Sequence, residues 1–441
     1  MDIRDVAGGL GTGSLRVACR LAVALGTAVL AAVGSTAVAS GTPAPDFYAA
    51  PAHLAPGRPG EILRTEPVTL AVAVPIDGRR WPAEATRIMY RSTDTHGADI
   101  AVTGTYFAPT LPWTGAGARP LVSLATGTQG QGDQCAPSRL FTEIVGYDAP
   151  LDVRAEYELL QVFALLSRGI AVVVTDYQGL GTPGVHTYLN RAAAAHAVLD
   201  AARAARALPG SGLGTTGPVG LWGYSQGGGA VAAAAELQAD YAPDLDLRGA
   251  YAGGIPADLR QVARMMDGSA ATGLIGYAIN GIYAAYPETR VEIDRAMSPA
   301  GRATVEDVRE QCLAETLLRH GLHRTSEWTA DGRSVADTID TLPMVRAAVD
   351  AQQIGRQTPA APVLVVEGLG DDLIPYGPAR EVAAAWCARG ATVRFSTADF
   401  PPIAPGFIVG HGLPLLSGIP EALTWMTDRF EGRPGPVGCQ L

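Results

Sequence analysis

Short apolar runs alternate with helix-forming segments along most of the chain. The segments 191–208 and 230–240, between such runs, are rich in alanine and other strong helix formers. Buried strands that alternate with helices predict an α/β fold in which helices flank a mainly parallel central sheet. The strand candidates are residues 120–126, 169–177, 217–224, 247–254, 361–368 and 391–399.

Two further segments modify this pattern. Residues 87–109 read as two antiparallel strands around a turn at 95–97. The gap between the candidates at 247–254 and 361–368 exceeds about 100 residues, which is too long for one crossover, so we expect an inserted helical module. An apolar face at helical spacing in that insertion fits either ordinary helix packing or a lid over the carboxyl ends of the strands. The face consists of Leu274, Ile275, Ile279, Ile282 and Tyr283.

The N-terminus has the pattern of a secretory signal. Three arginines precede the apolar run 21–33, and small residues follow it up to an A-x-A site that ends at Ala39. An uncleaved membrane anchor is the alternative, but the short core and the A-x-A site favour cleavage. We therefore expect a secreted protein. The predicted segments are a signal peptide (1–39), a first core part (40–255), a helical lid (256–345) and a second core part (346–441).

The composition limits which classes of substrate, partner and cofactor we expect. The net charge of −10 argues against nucleic acid and against an anionic membrane held by charge, so neutral or apolar substrates fit better. Four cysteines follow the signal, which in an oxidising compartment indicates two disulfides with three pairings open. No Cys-x-x-Cys or His-Glu-x-x-His occurs, and His320 and His323 read as surface residues, so we expect neither metal nor cofactor.

The segment Gly223-Tyr-Ser225-Gln-Gly227 fits the G-x-S-x-G nucleophile elbow. It stands between an apolar strand candidate and a helical segment, where a sharp turn would expose the serine hydroxyl. A simple glycine-rich turn is the alternative, because 53 of 441 residues are glycine. The position favours the elbow.

A serine nucleophile needs a histidine to take its proton and an acid to orient that histidine. In α/β-hydrolases the chain order is serine, acid, histidine, and His411 is the histidine that follows the late strands, in a glycine-flanked loop. Asp371 leaves the strand candidate 361–368 first and stands four residues before a proline, so we assign it as the acid. We interpret Asp372 as a solvated neighbour or the start of the next turn.

Acyl transfer also needs hydrogen-bond donors for the developing oxyanion. The backbone N–H of Gln226, directly after the nucleophile, is one candidate. The second is expected from the glycine-rich loop 125–138, without a specific residue.

Several motifs in this order resemble the secretory lipase family of the α/β-hydrolases. They are GDQCAPS (132–138), VVVTDYQGLGTPG (172–184), GYSQGG (223–228), DDLIPY (371–376) and the single late histidine. The resemblance spans roughly residues 45–440. It implies an α/β-hydrolase with a helical lid that cleaves triacylglycerols and other carboxylic esters.

The resemblance also assigns residues. It implies a triad of Ser225, Asp371 and His411, and an oxyanion hole of Asp133 with Gln226. It pairs a cysteine of the GDQCAPS loop with one in the lid, which makes the expected disulfides Cys135–Cys312 and Cys387–Cys439.

Two features limit how far the family's residue roles apply to this chain. This chain has Gln226 where the best-known member of the family has glycine, which predicts a side chain near the entrance of the acyl pocket. An ionised Asp133 would repel an oxyanion, so either its backbone N–H donates or its carboxyl is protonated. A short-chain carboxylesterase, a peptidase, an acyltransferase and an inactive hydrolase-fold binding protein remain alternatives, and transient contact with a lipid interface is left open.

Overall fold

The computed structural model describes residues 46–51, 53–71, 81, 83–436 and 438–441. The predicted signal peptide lies outside this part of the chain. Residues Phe47–Leu441 form one compact unit. Within the described part, no helix combines the length and the apolar character needed to cross a bilayer.

A ten-stranded sheet organises this unit, in the order β1-β2-β3-β7-β4-β8-β9-β10-β11-β12. The first three strands pair antiparallel and β3 meets β7 antiparallel, whereas β7 and all strands beyond it pair in parallel. Two short strands, β5 and β6, form a separate hairpin. The bounds are β1 Ile62–Val68, β2 Ala83–Thr93, β3 Asp99–Pro109, β4 Leu121–Ala125, β5 Val145–Asp148, β6 Asp152–Ala155, β7 Ala171–Thr175, β8 Pro218–Tyr224, β9 Asp246–Gly253, β10 Val363–Gly368, β11 Val393–Ala398 and β12 Cys439–Gln440.

Helices lie between most of the parallel strands and fill the insertion that follows β9. Among the described residues, four α-helices belong to the first part of the chain, seven lie between β9 and β10, and three belong to the last part. The bounds are α1 Pro137–Leu140, α2 Leu159–Leu166, α3 Arg191–Ala207, α4 Gln226–Tyr241, α5 Leu259–Met266, α6 Leu274–Ala285, α7 Arg290–Ala296, α8 Pro299–Asp307, α9 Leu313–His320, α10 Val335–Ile339, α11 Pro343–Ala351, α12 Tyr376–Ala388, α13 Val409–Ser417 and α14 Ile419–Phe430.

The parallel strands are apolar throughout because both faces of the sheet are covered. In β7, Val173 faces the alanines of α3 and α4. Its neighbours Val172 and Val174 belong to the opposite cluster, with side chains of α2 and α14. Successive strand residues point to opposite faces, so a two-sided core requires an uninterrupted apolar run. This confirms the predicted α/β fold with a mainly parallel sheet.

The insertion between β9 and β10 is helical, as expected. Of its predicted apolar face, Leu274, Ile275 and Ile282 are buried in clusters with the neighbouring inserted helices. Ordinary helix packing therefore accounts for part of this face. The limits of a separate lid at 256–345 stay a prediction.

Both expected disulfides are formed, Cys135–Cys312 and Cys387–Cys439. The first is buried and joins the segment after β4 to the residue before α9. Backbone hydrogen bonds surround it, from Gln131 N to Gln311 O at 2.9 Å and from Leu313 N to Gln129 O at 2.8 Å. The inserted helices are thus fixed to the loop that follows β4.

Removing the Cys135–Cys312 bridge by alanine substitution should lower the free energy of unfolding by about 4–5 kcal/mol at most, by chain entropy. The matched control removes Cys387–Cys439, whose partners are 52 positions apart instead of 177. Its loss should be about 1 kcal/mol smaller because it closes a shorter loop. Chemical denaturation measures both losses, and the reverse order would contradict the expectation.

Candidate active site

Ser225 occupies a sharp turn between β8 and α4. Its backbone has φ 60° and ψ −122°, a region that residues other than glycine rarely adopt. The Ser225 N–H donates to the Gly253 carbonyl at 2.9 Å, and its carbonyl accepts from Gly229 N at 3.0 Å. These bonds hold the strained turn, which has the geometry of a nucleophile elbow.

Glycines make this turn sterically feasible. A Cβ on Gly223 would overlap the carbonyl of Gly227, and a Cβ on Gly227 would overlap the carbonyl of Ala125 at the end of β4. A Cβ on Gly228 would overlap the carbonyl of Gly253 in β9. The first turn of α4 therefore packs directly on the backbone of its neighbouring strands.

Asp371 and His411 are in direct contact. His411 Nδ1 lies 2.7 Å from Asp371 Oδ2, and the other carboxylate oxygen accepts the N–H groups of Leu373 and Ile374 at 2.8 Å each. Both side chains are at least nine-tenths buried. An ionised Asp371 fixes the tautomer with the proton on Nδ1, which makes Nε2 the proton acceptor.

The imidazole lies against the residues that flank Ser225. Tyr224 donates its hydroxyl to the His411 carbonyl at 2.8 Å, and the two rings are 5.0 Å apart. A Cβ on Gly254, the residue after the Gly253 that holds Ser225, would be 3.2 Å from His411 Cε1. The structure thus gathers the predicted acid and histidine beside the elbow.

The surroundings of His411 correct two predictions. His411 lies in the first turn of α13 rather than in a loop, because left-handed Ile408 (φ 69°) reverses the chain just before the helix. Asp372 is no solvated neighbour. Its carboxylate accepts the N–H groups of Gly406 at 2.9 Å, Ile408 at 3.0 Å and His411 at 3.1 Å. The two aspartates therefore have different roles. Asp371 contacts the imidazole, and Asp372 holds the backbone of the segment that carries His411.

Gln226 contacts a second histidine of the chain. Its side chain is buried, and its amide nitrogen lies 2.9 Å from Nε2 of His186. His186 Nδ1 lies 3.0 Å from the Gln178 carbonyl, and burial lowers the His186 pKa to about 4. The neutral ring thus donates from Nδ1 and accepts from Gln226. This bond holds the buried side chain in place, and its predicted position near the entrance of the acyl pocket stays a prediction.

His186 precedes Ser225 in the sequence, so the serine–acid–histidine order of the triad gives it no role. The signal that could have identified it is its place two residues beyond the VVVTDYQGLGTPG motif.

Asp133 begins a short 3-10 turn, Asp133–Cys135, in the loop after β4. Its side chain is exposed, and Oδ1 accepts the N–H of Gly181 at 2.9 Å. The carboxylate is thus engaged as an acceptor.

Closer to the elbow, three consecutive residues after β4 are each held by a side chain. Thr126 O accepts from the Tyr177 hydroxyl at 2.7 Å, and Thr128 O accepts from the Tyr157 hydroxyl at 2.8 Å. Between them, Gly127 N donates to the buried carboxylate of Glu158 at 2.7 Å. Sequence reasoning missed this acid, because a glutamate in a helical segment is ordinarily a surface residue.

Within the described residues, no group of three or more histidine, cysteine or acidic side chains could hold a metal ion. His320 pairs with Asp307 at 2.7 Å, and the exposed His323 lies 3.4 Å from Glu327.

The sheet order, the strained serine and the buried Asp371–His411 pair define an α/β-hydrolase. Among solved structures, Candida antarctica lipase A in its closed state superposes with a TM-score of 0.72 at 21% identity, over 87% of this chain and 84% of the other. The family model for secretory lipases matches residues 148–438. The chain belongs to the secretory lipase family, and it is a carboxylic ester hydrolase.

Curated relatives support the family. A probable inactive lipase of Mycobacterium tuberculosis is 30% identical over 88% of this chain and 82% of its own length. A secreted triacylglycerol lipase of Malassezia furfur is 27% identical over 90% of this chain and 77% of its own. The relatives thus include both a lipase and a probable inactive lipase. The geometry of the site in this chain therefore bears directly on its activity.

Replacing Asp372 by asparagine should reduce kcat about tenfold or more, because one of the three N–H groups that hold the His411 segment would then face an amide N–H. Steady-state ester hydrolysis measures the loss. Asp399→Asn, which removes the same charge from an exposed aspartate before that segment, should retain wild-type activity. Equal activities of the two variants would contradict the assigned role.

Proposed function

We propose that Ser225, His411 and Asp371 form the catalytic triad of a secreted serine esterase that cleaves the carboxylic esters of lipids. The observation that carries the proposal is the 2.7 Å bond from His411 Nδ1 to Asp371, formed beside a serine in the strained elbow conformation. A chain free to lose its activity would have no reason to keep this strain and this buried, hydrogen-bonded Asp371–His411 pair together.

In the proposed reaction, His411 Nε2 takes the Ser225 proton as the hydroxyl oxygen attacks the ester carbonyl. The tetrahedral intermediate expels the alcohol, which receives that proton from the imidazolium, and an acyl-enzyme remains. Water then attacks the acyl carbon with His411 again as the base; the bond to Ser225 Oγ breaks, the imidazolium returns the proton to that oxygen, and the carboxylic acid leaves. Asp371 stays ionised throughout and stabilises the imidazolium.

The oxyanion hole in this proposal combines the backbone N–H of Gln226 with Asp133. Gln226 is the first residue of α4, where backbone N–H groups have no partner within the helix. Asp133 would contribute its backbone N–H, because its carboxylate accepts from Gly181 and an acceptor cannot stabilise an anion.

For the substrate, we propose that the inserted helices act as a lid and receive an acyl chain. An apolar cavity of about 90 Å³ lies among them, and burying methylene groups there would stabilise a bound chain by about 0.8 kcal/mol each. Its lining includes Ile275, Ile279, Ile282, Ile293, Ile339 and Val345.

We also propose that the protein is exported. The two disulfides and the secretory character of the family fit an oxidising compartment, and cleavage after Ala39 would release residues 40–441.

The proposal predicts that the protein lacking residues 1–39 hydrolyses p-nitrophenyl esters, and that Ser225→Ala lowers kcat by about 10⁴-fold or more. Esters from acetyl to palmitoyl locate the preferred chain length, which distinguishes a lipase from a short-chain esterase. Added alcohols and amines detect acyl transfer to acceptors other than water.

Ser417→Ala, which removes an exposed hydroxyl at the end of α13, serves as the matched control and should keep wild-type rates. Hydrolysis by Ser225→Ala at the wild-type rate, or hydrolysis of no ester by the wild type, would refute the proposal.

A further inference from the structure

Glu158 is a fully buried acid that contacts the loop beside the nucleophile. It stands at the N-terminus of α2, and its Oε1 accepts the N–H of Gly127, two residues after β4, at 2.7 Å. The neighbouring Tyr157 hydroxyl donates to Thr128 O at 2.8 Å. Consecutive side chains of one segment thus hold consecutive residues of the loop.

The second carboxylate oxygen leads to the strand that carries Ser225. Glu158 Oε2 accepts a hydrogen bond from the amide nitrogen of Gln161, one helical turn later. The amide oxygen of Gln161 in turn accepts from Trp222 Nε1, three residues before Ser225 in β8. All three side chains are buried. The result is one hydrogen-bonded chain from the loop after β4 to the nucleophile strand.

The directions of these bonds require a carboxylate at position 158. Gly127 and Gln161 both present N–H donors, and only an ionised acid offers them two acceptor oxygens. Gln161 cannot reverse its amide without presenting N–H to the Trp222 N–H. The chain is therefore polar and directional at every link.

The site of this acid is costly to maintain. Burial raises the Glu158 pKa to about 7, while the bonds from Gly127 and Gln161 lower it. The titratable groups that sense its charge are Glu156, Tyr157, Tyr177 and Tyr251. Packing alone would favour an apolar residue here, because an uncompensated buried charge destabilises the fold.

The loop that Glu158 holds is also the surface on which the elbow packs. A Cβ on Gly227 would overlap Ala125 O and come within 3.0 Å of Thr126 O, so the start of α4 lies directly on the residues before Gly127. A shift of this loop by a fraction of an ångström would change the position of oxyanion donors relative to Ser225.

We propose that Glu158 is a positioning residue for ester hydrolysis: through Gly127 and through Gln161–Trp222 it fixes the loop after β4 relative to the strand of Ser225. The inference rests on the proposed function, since it assigns the oxyanion donors to the elbow and this loop. Glu158 touches no substrate and acts only through the geometry of those donors.

The test begins with Glu158→Gln. The new amide keeps an acceptor for Gly127 but directs N–H at the amide nitrogen of Gln161. We expect kcat for a p-nitrophenyl ester to fall about tenfold, less than the 10²–10³ for removal of a whole oxyanion donor, with KM almost unchanged.

The decisive variant exchanges the pair, as Glu158→Gln with Gln161→Glu. The amide now at position 158 would accept from Gly127 and donate to the carboxylate now at position 161. That carboxylate would accept from Trp222, so every link regains a donor and an acceptor. We expect this double variant to recover kcat to within about threefold of the wild type.

Glu236→Gln is the matched control. Glu236 is also buried and accepts N–H groups of a glycine and a tryptophan, Gly355 at 2.8 Å and Trp386 at 2.9 Å. It differs in that its second oxygen pairs with Arg191 and in that it lies toward the far end of α4. It should lose unfolding free energy and keep the wild-type kcat, both measured on the folded fraction.

The outcomes separate cleanly. A tenfold loss in Glu158→Gln that the exchange restores, with kcat kept in Glu236→Gln, supports the positioning role. Wild-type kcat in Glu158→Gln, or a loss that the exchange leaves unrepaired and that Glu236→Gln shares, overturns it while the proposed function stands. Failure of the wild type to hydrolyse any ester overturns the proposed function, and this inference with it.

Discussion

The close approach of α4 to the ends of β4 and β9 is the constraint on which the rest of the site depends. Glycines at 223, 227 and 228 allow backbone to meet backbone there, where any Cβ would overlap a carbonyl. This contact forces Ser225 into its strained conformation. The N-terminus of α4 then faces the same space as the Ser225 side chain. His411 and the loop after β4 are then arranged around a fixed point. Strain at one residue is stable because packed backbone on several sides prevents relaxation.

Polar burial beneath the site follows from that arrangement. The segment carrying His411 depends on Asp372, and the loop beside the elbow depends on the side chains of Tyr157 and Glu158. Glu367 at the end of β10 is likewise buried, and its carboxylate accepts the Ile255 N–H at 2.9 Å. Burial raises the pKa values of Glu158 and Glu367, so keeping these carboxylates charged weakens the fold. Their hydrogen bonds, however, order loops that have no regular hydrogen bonding of their own. The disulfide at Cys135 adds a covalent restraint to the same loop.

Much of the fold could be predicted because its core strands are two-sided. Apolar runs such as β7 and β10 can be recognised as strands from the sequence. The strand β1 and the β5–β6 hairpin cannot, because they are half-exposed and carry polar residues. For the site, motif order singled out Ser225, Asp371 and His411, and the structure places the last two in contact. Two of the supporting residues could not be predicted. Asp372 and Glu158 act through backbone N–H groups distant in sequence, and no local pattern encodes such a partner. Residue type even misled, since a second aspartate and a glutamate ordinarily face water.

The central claim is that Ser225 is an activated nucleophile whose base is His411. Mass spectrometry of the intact protein after treatment with a serine-reactive p-nitrophenyl phosphonate, followed by peptide mapping, tests it most directly. The account predicts one adduct, on Ser225, that forms at least about 10²-fold more slowly when His411 is replaced by alanine. Labelling of a different residue, or no labelling of the folded wild-type protein, would contradict it.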